Sequence, residues 1–377
     1  MIYLLELEPL KERYTYWWTE YIPAEMRKKN KVTVISGEAL TDRVETGLFL
    51  DAGSTNHWKA NQLQKVAKLF FDKQINPGDT FFACDLWYPG IEMIPYMSSL
   101  YNIPVYLYGI WHCGSCNTGD VVQKFHEWSR FFEMGFFKIC DGVFVGSEHS
   151  KQEIVENLFY GLHPDELKEL SNKIHAFGMP IDWAGINKYY APKEKIILFP
   201  HRPDPEKNPL MFINLIEHFF ITWPEWADYK WIFCTSKKEF KAQDPVVNSK
   251  LKDISSRFDN VVILEDLSKD EFYKLLGRTS LVVSTNYNET FGYSIVEAIT
   301  VGANVLVPNK FSYPEILDHN EDFMYDNIAE FIEKLPILAS RKIEINPKIT
   351  QNYIWTVNSW VTTMQSNHSI PASFRAT

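Results

Sequence analysis

The sequence predicts two doubly wound α/β domains, each built on a parallel sheet with helices on both faces. The first indication is length, because 377 residues exceed the roughly 250 to 300 at which a single core stops growing. The second is a regular alternation of short apolar runs with amphipathic stretches, which is typical of βαβ crossovers. The third is a break at residues 178–182, Gly-Met-Pro-Ile-Asp, after which the alternation restarts. We therefore expect domains at 1–180 and 181–350, with a helical tail at 351–377 that crosses back to the first domain.

Each predicted strand is a short apolar or β-branched run, and each predicted helix has apolar residues at helical spacing. In the N-terminal half the predicted strands are 2–7, 32–36, 80–84, 105–109 and 142–146, and the helices include 59–71 and 122–137. In the C-terminal half the predicted strands are 196–200, 231–234, 261–264, 281–284 and 304–307, with helices beginning near 210 and 290. Ligands bind such sheets at the carboxyl ends of the strands, so we expect the two domains to face each other across a ligand-binding cleft.

Composition excludes several classes of protein. Hydrophobic residues make up 45% and charged residues 23%, which is typical of a globular chain rather than a disordered one. A formal net charge of -10 argues against a non-specific, charge-driven DNA binder, although a local basic patch stays compatible with DNA. The start of the chain does not resemble a signal peptide, and no apolar run reaches the ~18 residues of a membrane span. We expect a cytoplasmic protein with no membrane partner.

The five cysteines indicate reduced thiols rather than a disulfide framework. The close pair Cys113 and Cys116 lies beside His112, but a structural zinc site normally needs four ligands and no second Cys-x-x-Cys occurs. We therefore predict no bound metal.

The most informative segment is residues 284–298, where a strand, a polar loop and an apolar helix follow one another. Glu289 precedes the predicted helix, and Glu297 lies two turns into it. A helix N-terminus attracts anions, and Gly292 allows a phosphate to approach the backbone closely. The alternative is a capping role for Glu289 and a solvated face for Glu297.

A second cluster of charge follows the strand at 196–200. Arg202 and Lys207 come after this strand, where a diphosphate would bind in an open α/β sheet. A planar guanidinium and a point-charge ammonium are well suited to such an anion. The alternative is a solvated turn with two surface cations.

This arrangement, an Arg/Lys pair followed about ninety residues later by Glu-x7-Glu, resembles the retaining GT-B glycosyltransferase superfamily. The resemblance covers roughly residues 196–320. It implies a metal-independent enzyme with no cofactor and a nucleotide-sugar co-substrate, for which we expect a UDP-sugar. It implies that Arg202 and Lys207 hold the donor diphosphate and that Glu289 contacts sugar hydroxyls. Donor binding would be completed by Glu297 on the ribose and by the backbone N–H groups of Thr290, Phe291 and Gly292.

The N-terminal half departs from the common family pattern, because no Gly follows the first strand before Gly37. Its short segments, including residues 51–59, 85–90 and 109–115, resemble glycosyltransferases encoded by tailed bacteriophages. That resemblance implies an enzyme of the host cytoplasm that glycosylates 5-hydroxymethylcytosine in phage DNA. His112, after a strand, is expected to contact the donor sugar or the acceptor, with a hydrogen-bonded core histidine as the alternative. The acceptor-side candidates are Arg13, Tyr14, Lys28, Lys29, Asp85 and Trp87.

Three tryptophans, at 58, 87 and 111, are interpreted either as stacking surfaces for a base or as core residues. The lysines at 59, 65, 68 and 73 are interpreted either as phosphate contacts or as a solvated helix face. Other acceptors stay open, namely a polysaccharide or another glycan, and so does a non-catalytic nucleotide-sugar or nucleic-acid binding module. The sequence has no Asp-x-Asp for metal-bridged donor binding and no Gly-x-Gly-x-x-Gly. It does not predict an oligomeric state.

Overall fold

The computed structural model describes residues 1–10, 14–40, 52–117, 122–235, 239–242 and 244–367. The chain forms two compact units. Unit 1 contains Met1–Pro180 and Trp355–Thr377, and unit 2 contains Ile181–Ile354.

Unit 1 is built on a parallel sheet of six strands in the order β2-β1-β3-β4-β5-β6. The strands are β1 Ile2–Leu5, β2 Val32–Ile35, β3 Thr80–Ala83, β4 Tyr106–Trp111, β5 Gly142–Val145 and β6 Ile174–Ala176. The helices are α1 Trp18–Arg27, α2 Ala52–Phe71, α3 Met93–Tyr101, α4 His126–Ile139, α5 Glu148–Glu153 and α6 Pro164–Asn172. Strands β1, β3, β4 and β5 are buried along their whole length, as expected of a sheet covered on both faces. The strand order reverses direction between β1 and β3, so a ligand site is expected at the carboxyl ends of these two strands.

Unit 2 has a second parallel sheet, in the order β12-β11-β10-β7-β8-β9. Its strands are β7 Glu194–Phe199, β8 Lys230–Cys234, β9 Val261–Leu264, β10 Thr279–Val283, β11 Asn304–Pro308 and β12 Met324–Tyr325. Its helices are α7 Trp183–Asn187, α8 Pro209–Thr222, α9 Pro245–Arg257, α10 Lys269–Arg278, α11 Tyr293–Thr300, α12 Tyr313–Ile316 and α13 Ile328–Ala339. When β7 is numbered as the first strand of this unit, the order is 6-5-4-1-2-3, which is the Rossmann order. The topological switch point lies between β7 and β10.

Shorter helical segments complete the two units. A π-helical turn, Ile154–Leu158, extends α5. The 3₁₀ segments are Tyr14–Trp17, Gln123–Phe125, Pro205–Lys207, Pro224–Asp228, Glu321–Phe323 and Pro347–Trp355.

The last helix, α14 Thr356–Asn367, belongs to unit 1 although it follows unit 2 in the sequence. Its buried Trp360 lies against Phe82 and Phe144, with ring centroids 5.6 and 5.7 Å apart. Lys29 Nζ donates a hydrogen bond of 2.6 Å to Asn358 Oδ1. The C-terminal segment therefore packs on the same sheet as β3 and β5.

The predicted fold class is confirmed, because both halves form doubly wound parallel sheets and every predicted strand is present. Strands β6 and β12 were missed. They have three and two residues, too few for a recognisable apolar run, and each exists by pairing with a longer neighbour. Within the described ranges, no helix is long and apolar enough to cross a membrane.

Candidate functional site

The loops after β7 and β10 bring two of the predicted site residues together. Lys207 Nζ lies 3.1 Å from Glu289 Oε2, and their side chains are 16% and 15% exposed. The two residues follow adjacent strands, at the switch point where an open α/β sheet binds its ligands. Lys207 is therefore not a surface cation of a solvated turn, and that alternative is wrong for this residue.

Both carboxylate oxygens of Glu289 have partners. Oε1 accepts a hydrogen bond from the backbone N–H of Gly292 at 3.0 Å. Oε2 accepts one from Asn286 Nδ2 at 2.9 Å, in addition to its contact with Lys207. The carboxylate is thus held in one orientation before any ligand binds.

The two loops are also bonded to each other. Thr285 Oγ1 bonds to the carbonyl oxygens of Lys207 and Asn208 at 2.9 and 3.0 Å. The backbone N–H of Tyr287 donates to the carbonyl of Glu206 at 2.8 Å. These contacts make the ends of β7 and β10 a connected platform for Lys207 and Glu289.

Arg202 lies in the first of these loops with 44% of its side chain exposed. It contacts the carboxylates of Asp204 at 3.1 Å and Glu206 at 3.4 Å. Arg202 lies at the same sheet edge as Lys207, and its two ion pairs are with carboxylates of its own loop.

Helix α11 begins at the switch point, and its N-cap residue is a glycine, which has no side chain to cap the first turn. Gly292 precedes the helix in a left-handed conformation with a φ of 79°. A Cβ at this position would lie 3.2 Å from the ring of Tyr313, so both the conformation and the space favour glycine. Thr290 is half-buried, and Phe291 packs against the rings of Tyr293 and Tyr353. The Phe291 side chain therefore belongs to the core, which leaves its backbone as the group that can meet a ligand.

Glu297 is buried on α11, with 8% of the residue exposed. Its Oε1 accepts a hydrogen bond from Tyr273 at 2.8 Å, and Lys269 Nζ is 3.9 Å away. Burial raises the pKa of Glu297 above its usual value, while Lys269 and Tyr273 oppose that rise. The alternative of a solvated face is wrong for Glu297.

His201 and Tyr273 were not identified from the sequence. Burial, Lys207 and Arg202 hold the pKa of His201 well below its usual value, so its imidazole is neutral beside the two cations. His201 is adjacent to Arg202 and was recoverable as a polar residue at the end of β7. Tyr273 lies on α10, 24 positions from Glu297, and no local pattern links them.

The switch point of unit 1 holds a buried ion pair. Lys59 Nζ lies 2.7 Å from Asp85 Oδ2, and their side chains are 7% and 11% exposed. Lys59 also donates to the Trp87 carbonyl at 2.5 Å, and the Trp87 N–H donates to Asp85 at 3.1 Å. Burial alone would raise the pKa of Asp85, but Lys59, His112 and these hydrogen bonds outweigh it and lower the pKa. For Lys59 the interpretation as a solvated helix face is wrong.

His112 follows β4 on the same edge of the unit 1 sheet. Its Nε2 is 2.9 Å from the carbonyl oxygen of Cys84, and its ring lies 5.5 Å from that of Trp18. Burial lowers the pKa of His112, although Asp85 acts in the opposite direction. His112 and Asp85 are thus electrostatically coupled neighbours at this edge.

The tryptophans divide between core and site. Trp58 and Trp111 are 5% and 1% exposed, so they are core residues and cannot receive a base. Trp87 is half-buried, and its Nε1 donates to Glu133 Oε1 at 2.8 Å. Glu133 is fully buried and also accepts hydrogen bonds from the N–H and Oγ of Ser115. The indole of Trp87 is therefore fixed at the sheet edge.

Two other acceptor-side candidates, Lys28 and Lys29, make their contacts elsewhere in unit 1. Lys28 is 66% exposed and pairs with Glu25 at 2.6 Å, and Lys29 bonds to Asn358 of α14. The backbone of Tyr14 begins a 3₁₀ segment, whereas Arg13 lies outside the described residues.

Neither member of the cysteine pair forms a disulfide. Cys116 is buried and Cys113 is half-buried. Across the described ranges, no group of three or more His, Cys, Asp or Glu side chains is arranged to hold a metal ion.

Two parallel-sheet Rossmann-like units define the GT-B class of fold. Solved structures agree: sucrose-phosphate synthase from Thermosynechococcus elongatus matches with a TM-score of 0.63 at 12% identity, covering 100% of this chain and 99% of that one. The catalytic domain of starch synthase IV from Arabidopsis thaliana, bound to ADP and acarbose, matches with a TM-score of 0.62 at 12% identity and 99% coverage of both chains.

The sequence of unit 2 matches a family model. Residues 186–339 match the family model Glycosyl transferases group 1, a segment that contains Arg202, Lys207, Glu289 and Glu297.

Two relatives carry similar sequences. A tRNA-queuosine alpha-mannosyltransferase from Drosophila melanogaster is 26% identical over 140 residues, which are 37% of this chain and 34% of that protein. A GDP-Man:Man(3)GlcNAc(2)-PP-Dol alpha-1,2-mannosyltransferase from Dictyostelium discoideum is 23% identical over 242 residues, 59% of this chain and 47% of that protein. The matched region thus spans about a third to a half of these relatives.

Proposed function

We propose that this chain is a retaining, metal-independent glycosyltransferase that moves a sugar from a nucleotide-sugar donor, expected to be a UDP-sugar, to an acceptor hydroxyl. The observation that carries the proposal is the contact of 3.1 Å between Lys207 and Glu289 at the switch point of a Glycosyl transferases group 1 domain. A cation and a carboxylate at this point can bind the two ends of a sugar diphosphate, one the phosphates and the other the sugar hydroxyls.

Sugar transfer places negative charge on the departing diphosphate, and the site has to stabilise that charge. The bond between the anomeric carbon and the diphosphate oxygen breaks with its electron pair on the diphosphate. The acceptor oxygen bonds to that carbon, and its proton passes to the departing diphosphate oxygen. Arg202, Lys207 and the dipole at the N-terminus of α11 would stabilise the departing diphosphate. Glu289 would hold the sugar, and the buried Glu297 would accept hydrogen bonds from the nucleotide ribose.

The sheet edge of unit 1 is the part of the chain that we assign to acceptor binding. Asp85 and His112 are neighbours there, and the Lys59 ammonium lowers the pKa of Asp85 despite burial, so Asp85 is an ionised acceptor for a hydroxyl hydrogen. We assign Asp85, His112 and Trp87 to the acceptor.

For the acceptor we propose a hydroxyl on a modified nucleobase, with 5-hydroxymethylcytosine in DNA as the first candidate. The Drosophila relative supports the wider class, because its name describes transfer of mannose to queuosine in tRNA. The second candidate is a glycan acceptor, favoured by the Dictyostelium relative, whose name describes transfer to a lipid-linked oligosaccharide.

The test is a mass-spectrometric screen of nucleotide sugars, including UDP- and GDP-sugars, against four acceptors: hydroxymethylcytosine DNA, unmodified DNA, tRNA and oligosaccharides. Transfer of one sugar mass to a modified base is the expected result, and Lys207→Ala should slow it about 10²-fold or more. Transfer to oligosaccharides alone would show that the acceptor is a glycan and not a nucleobase. If no donor is consumed with any acceptor or by hydrolysis, the chain is a binding module rather than an enzyme.

A further inference from the structure

Behind Glu289 lies a buried amide that contacts its carboxylate directly. Asn286 is 3% exposed, and its Nδ2 donates hydrogen bonds of 2.9 Å both to Glu289 Oε2 and to the hydroxyl oxygen of Tyr313. The amide therefore bridges the carboxylate of the proposed sugar site and a tyrosine from α12.

The tyrosine is fixed in turn. Tyr313 is fully buried at the first position of α12, and its hydroxyl is 2.8 Å from Ser284 Oγ at the end of β10. Its ring lies beneath Gly292, where an added Cβ would approach within 3.2 Å. A chain of contacts thus runs from the strand end through Tyr313 and Asn286 to Glu289.

The orientation of the amide is dictated by the carboxylate. If the amide were turned over, its oxygen would face an oxygen of Glu289, which is repulsive. In the observed orientation Asn286 Oδ1 is buried and has no hydrogen-bond partner within the part of the chain that the structure describes. An unpaired buried acceptor costs about 1 to 3 kcal/mol, so local stability alone does not favour an asparagine here.

We infer that Asn286 and Tyr313 are positioning residues, which fix the orientation of the Glu289 carboxylate and thereby set how tightly the donor sugar is held. This inference rests on the proposed function, in which Glu289 contacts sugar hydroxyls. Neither residue touches the nucleotide part of the donor in this scheme, so their removal affects the sugar and not the nucleotide.

The experiment measures binding of a nucleotide diphosphate and of the matching nucleotide sugar to each variant by calorimetry. The ratio of the two affinities isolates the contribution of the sugar. In Asn286→Ala this ratio is expected to fall about tenfold, in line with the loss of a hydrogen bond to a charged group. In Tyr313→Phe it should fall in the same direction, because Asn286 Nδ2 loses the hydroxyl that it contacts. Affinity for the nucleotide diphosphate alone should stay within about twofold of wild type because the contacts around Lys207 are intact.

Asn286→Asp separates positioning from packing. Aspartate has the shape of asparagine but places a second carboxylate against Glu289, so the sugar ratio and kcat should fall further than in Asn286→Ala. A residue that merely fills space would tolerate the isosteric change better than the truncation.

Tyr325→Phe is the matched control. The Tyr325 hydroxyl donates a hydrogen bond of 3.0 Å to the backbone carbonyl of Ser284 and not to the amide of Asn286. Loss of this hydroxyl should leave the ratio of the two affinities unchanged. The inference is overturned if Asn286→Ala and Tyr313→Phe fold and keep the wild-type ratio and kcat, or if Asn286→Asp is the milder change. If wild-type protein binds the nucleotide sugar no more tightly than the nucleotide diphosphate, the proposed function fails as well. This result is obtained before any variant is made, so the two failures are distinguishable.

Discussion

Lys207 Nζ and Glu289 Oε2 lie 3.1 Å apart although 82 positions separate the two residues in the sequence. The loops that follow two adjacent parallel strands create this contact. Because both side chains are largely buried, the pair is screened less by water than an ion pair on the surface. A bound diphosphate would contact the same ammonium group that contacts Glu289.

We predict that Lys207→Ala lowers turnover about 10²-fold or more, because preorganised cations act on charge that grows in the transition state. Arg202→Ala should lower turnover in the same direction. Steady-state kinetics with a fixed donor measures both changes.

Lys195→Ala is the matched control for these two variants. Lys195 lies on β7 in the same unit, and its ion pair with Asp228 at 3.2 Å has side chains that are 60% and 70% exposed. Its turnover should equal that of wild type. Near-normal turnover in both Lys207→Ala and Arg202→Ala would remove these residues from the donor site.

Glu297 leads to a prediction about pH. Since burial raises its pKa, the carboxylate takes up a proton at a higher pH than an exposed glutamate does, and donor affinity should weaken as the pH falls through that range. Glu297→Gln should lose about 1.5 to 3 kcal/mol of donor binding, the value of a charged hydrogen bond, and become insensitive to pH. Calorimetry from about pH 4.5 to about pH 8 measures the change in donor affinity, because this range starts near the usual glutamate pKa and extends above it.

The raised pKa of Glu297 also affects the stability of the folded protein. A carboxyl whose folded pKa is raised contributes stability at low pH that is lost as the pH rises, so Glu297→Gln should keep or increase the free energy of unfolding at pH 7. Glu333→Gln, an exposed position on α13, is the control for both measurements. Unchanged donor affinity in a folded Glu297→Gln protein would rule out the ribose contact.

The product is expected to keep the anomeric configuration of the donor, and the reaction should proceed in the presence of a chelator. The reason is the resemblance of the Arg/Lys pair and Glu-x7-Glu to a retaining class that neutralises the diphosphate with side chains. NMR of the product's anomeric proton gives the configuration. An inverted product, or activity that a divalent cation restores after chelation, would contradict this assignment.

Lys59→Met should destabilise unit 1 by about 3 to 5 kcal/mol, because it leaves the Asp85 carboxylate buried without its partner. Urea denaturation followed by fluorescence measures the change. The double variant Lys59→Met with Asp85→Leu should recover much of that stability while losing activity. If the single variant is as stable as wild type, the ion pair does not hold the edge of the unit 1 sheet.

If DNA is the acceptor, charge reversal of Lys28 and Lys29 should weaken DNA binding without changing donor affinity. Activity should also fall steeply between about 50 and 200 mM salt as phosphate contacts are screened. Lys168→Glu, an exposed position on α6 of the same unit, is the control. If wild type, the Lys28 and Lys29 charge-reversal variant and Lys168→Glu all bind DNA with equal affinity, the surface around Lys28 and Lys29 does not belong to the acceptor site.

The sequence predicted those features that are written in local patterns. Apolar runs located ten strands because a strand buried on both faces needs consecutive apolar residues, as in β10. Glu289 and Glu297 were found because a strand, a loop and a helix follow one another within fifteen residues. Asn286 and Tyr313 were not, since their contact depends on how α12 packs under the loop and not on any spacing.

Lys59 shows the limit of periodicity. Its spacing from Lys65 and Lys68 along α2 is the same whether the helix face meets water or the sheet edge. Only the fold distinguishes the two cases, by burying Lys59 against Asp85 and leaving Lys68 74% exposed.

The return of α14 to unit 1 means that the two units are not equivalent during synthesis. Unit 2 is one continuous segment, so all of its strands have been made by the time residue 354 is added. Unit 1 starts first but acquires the Trp360 that covers Phe82 and Phe144 last. A nascent chain stalled before α14 would therefore present an open apolar sheet face to chaperones, while the segment 181–354 could already fold as a unit.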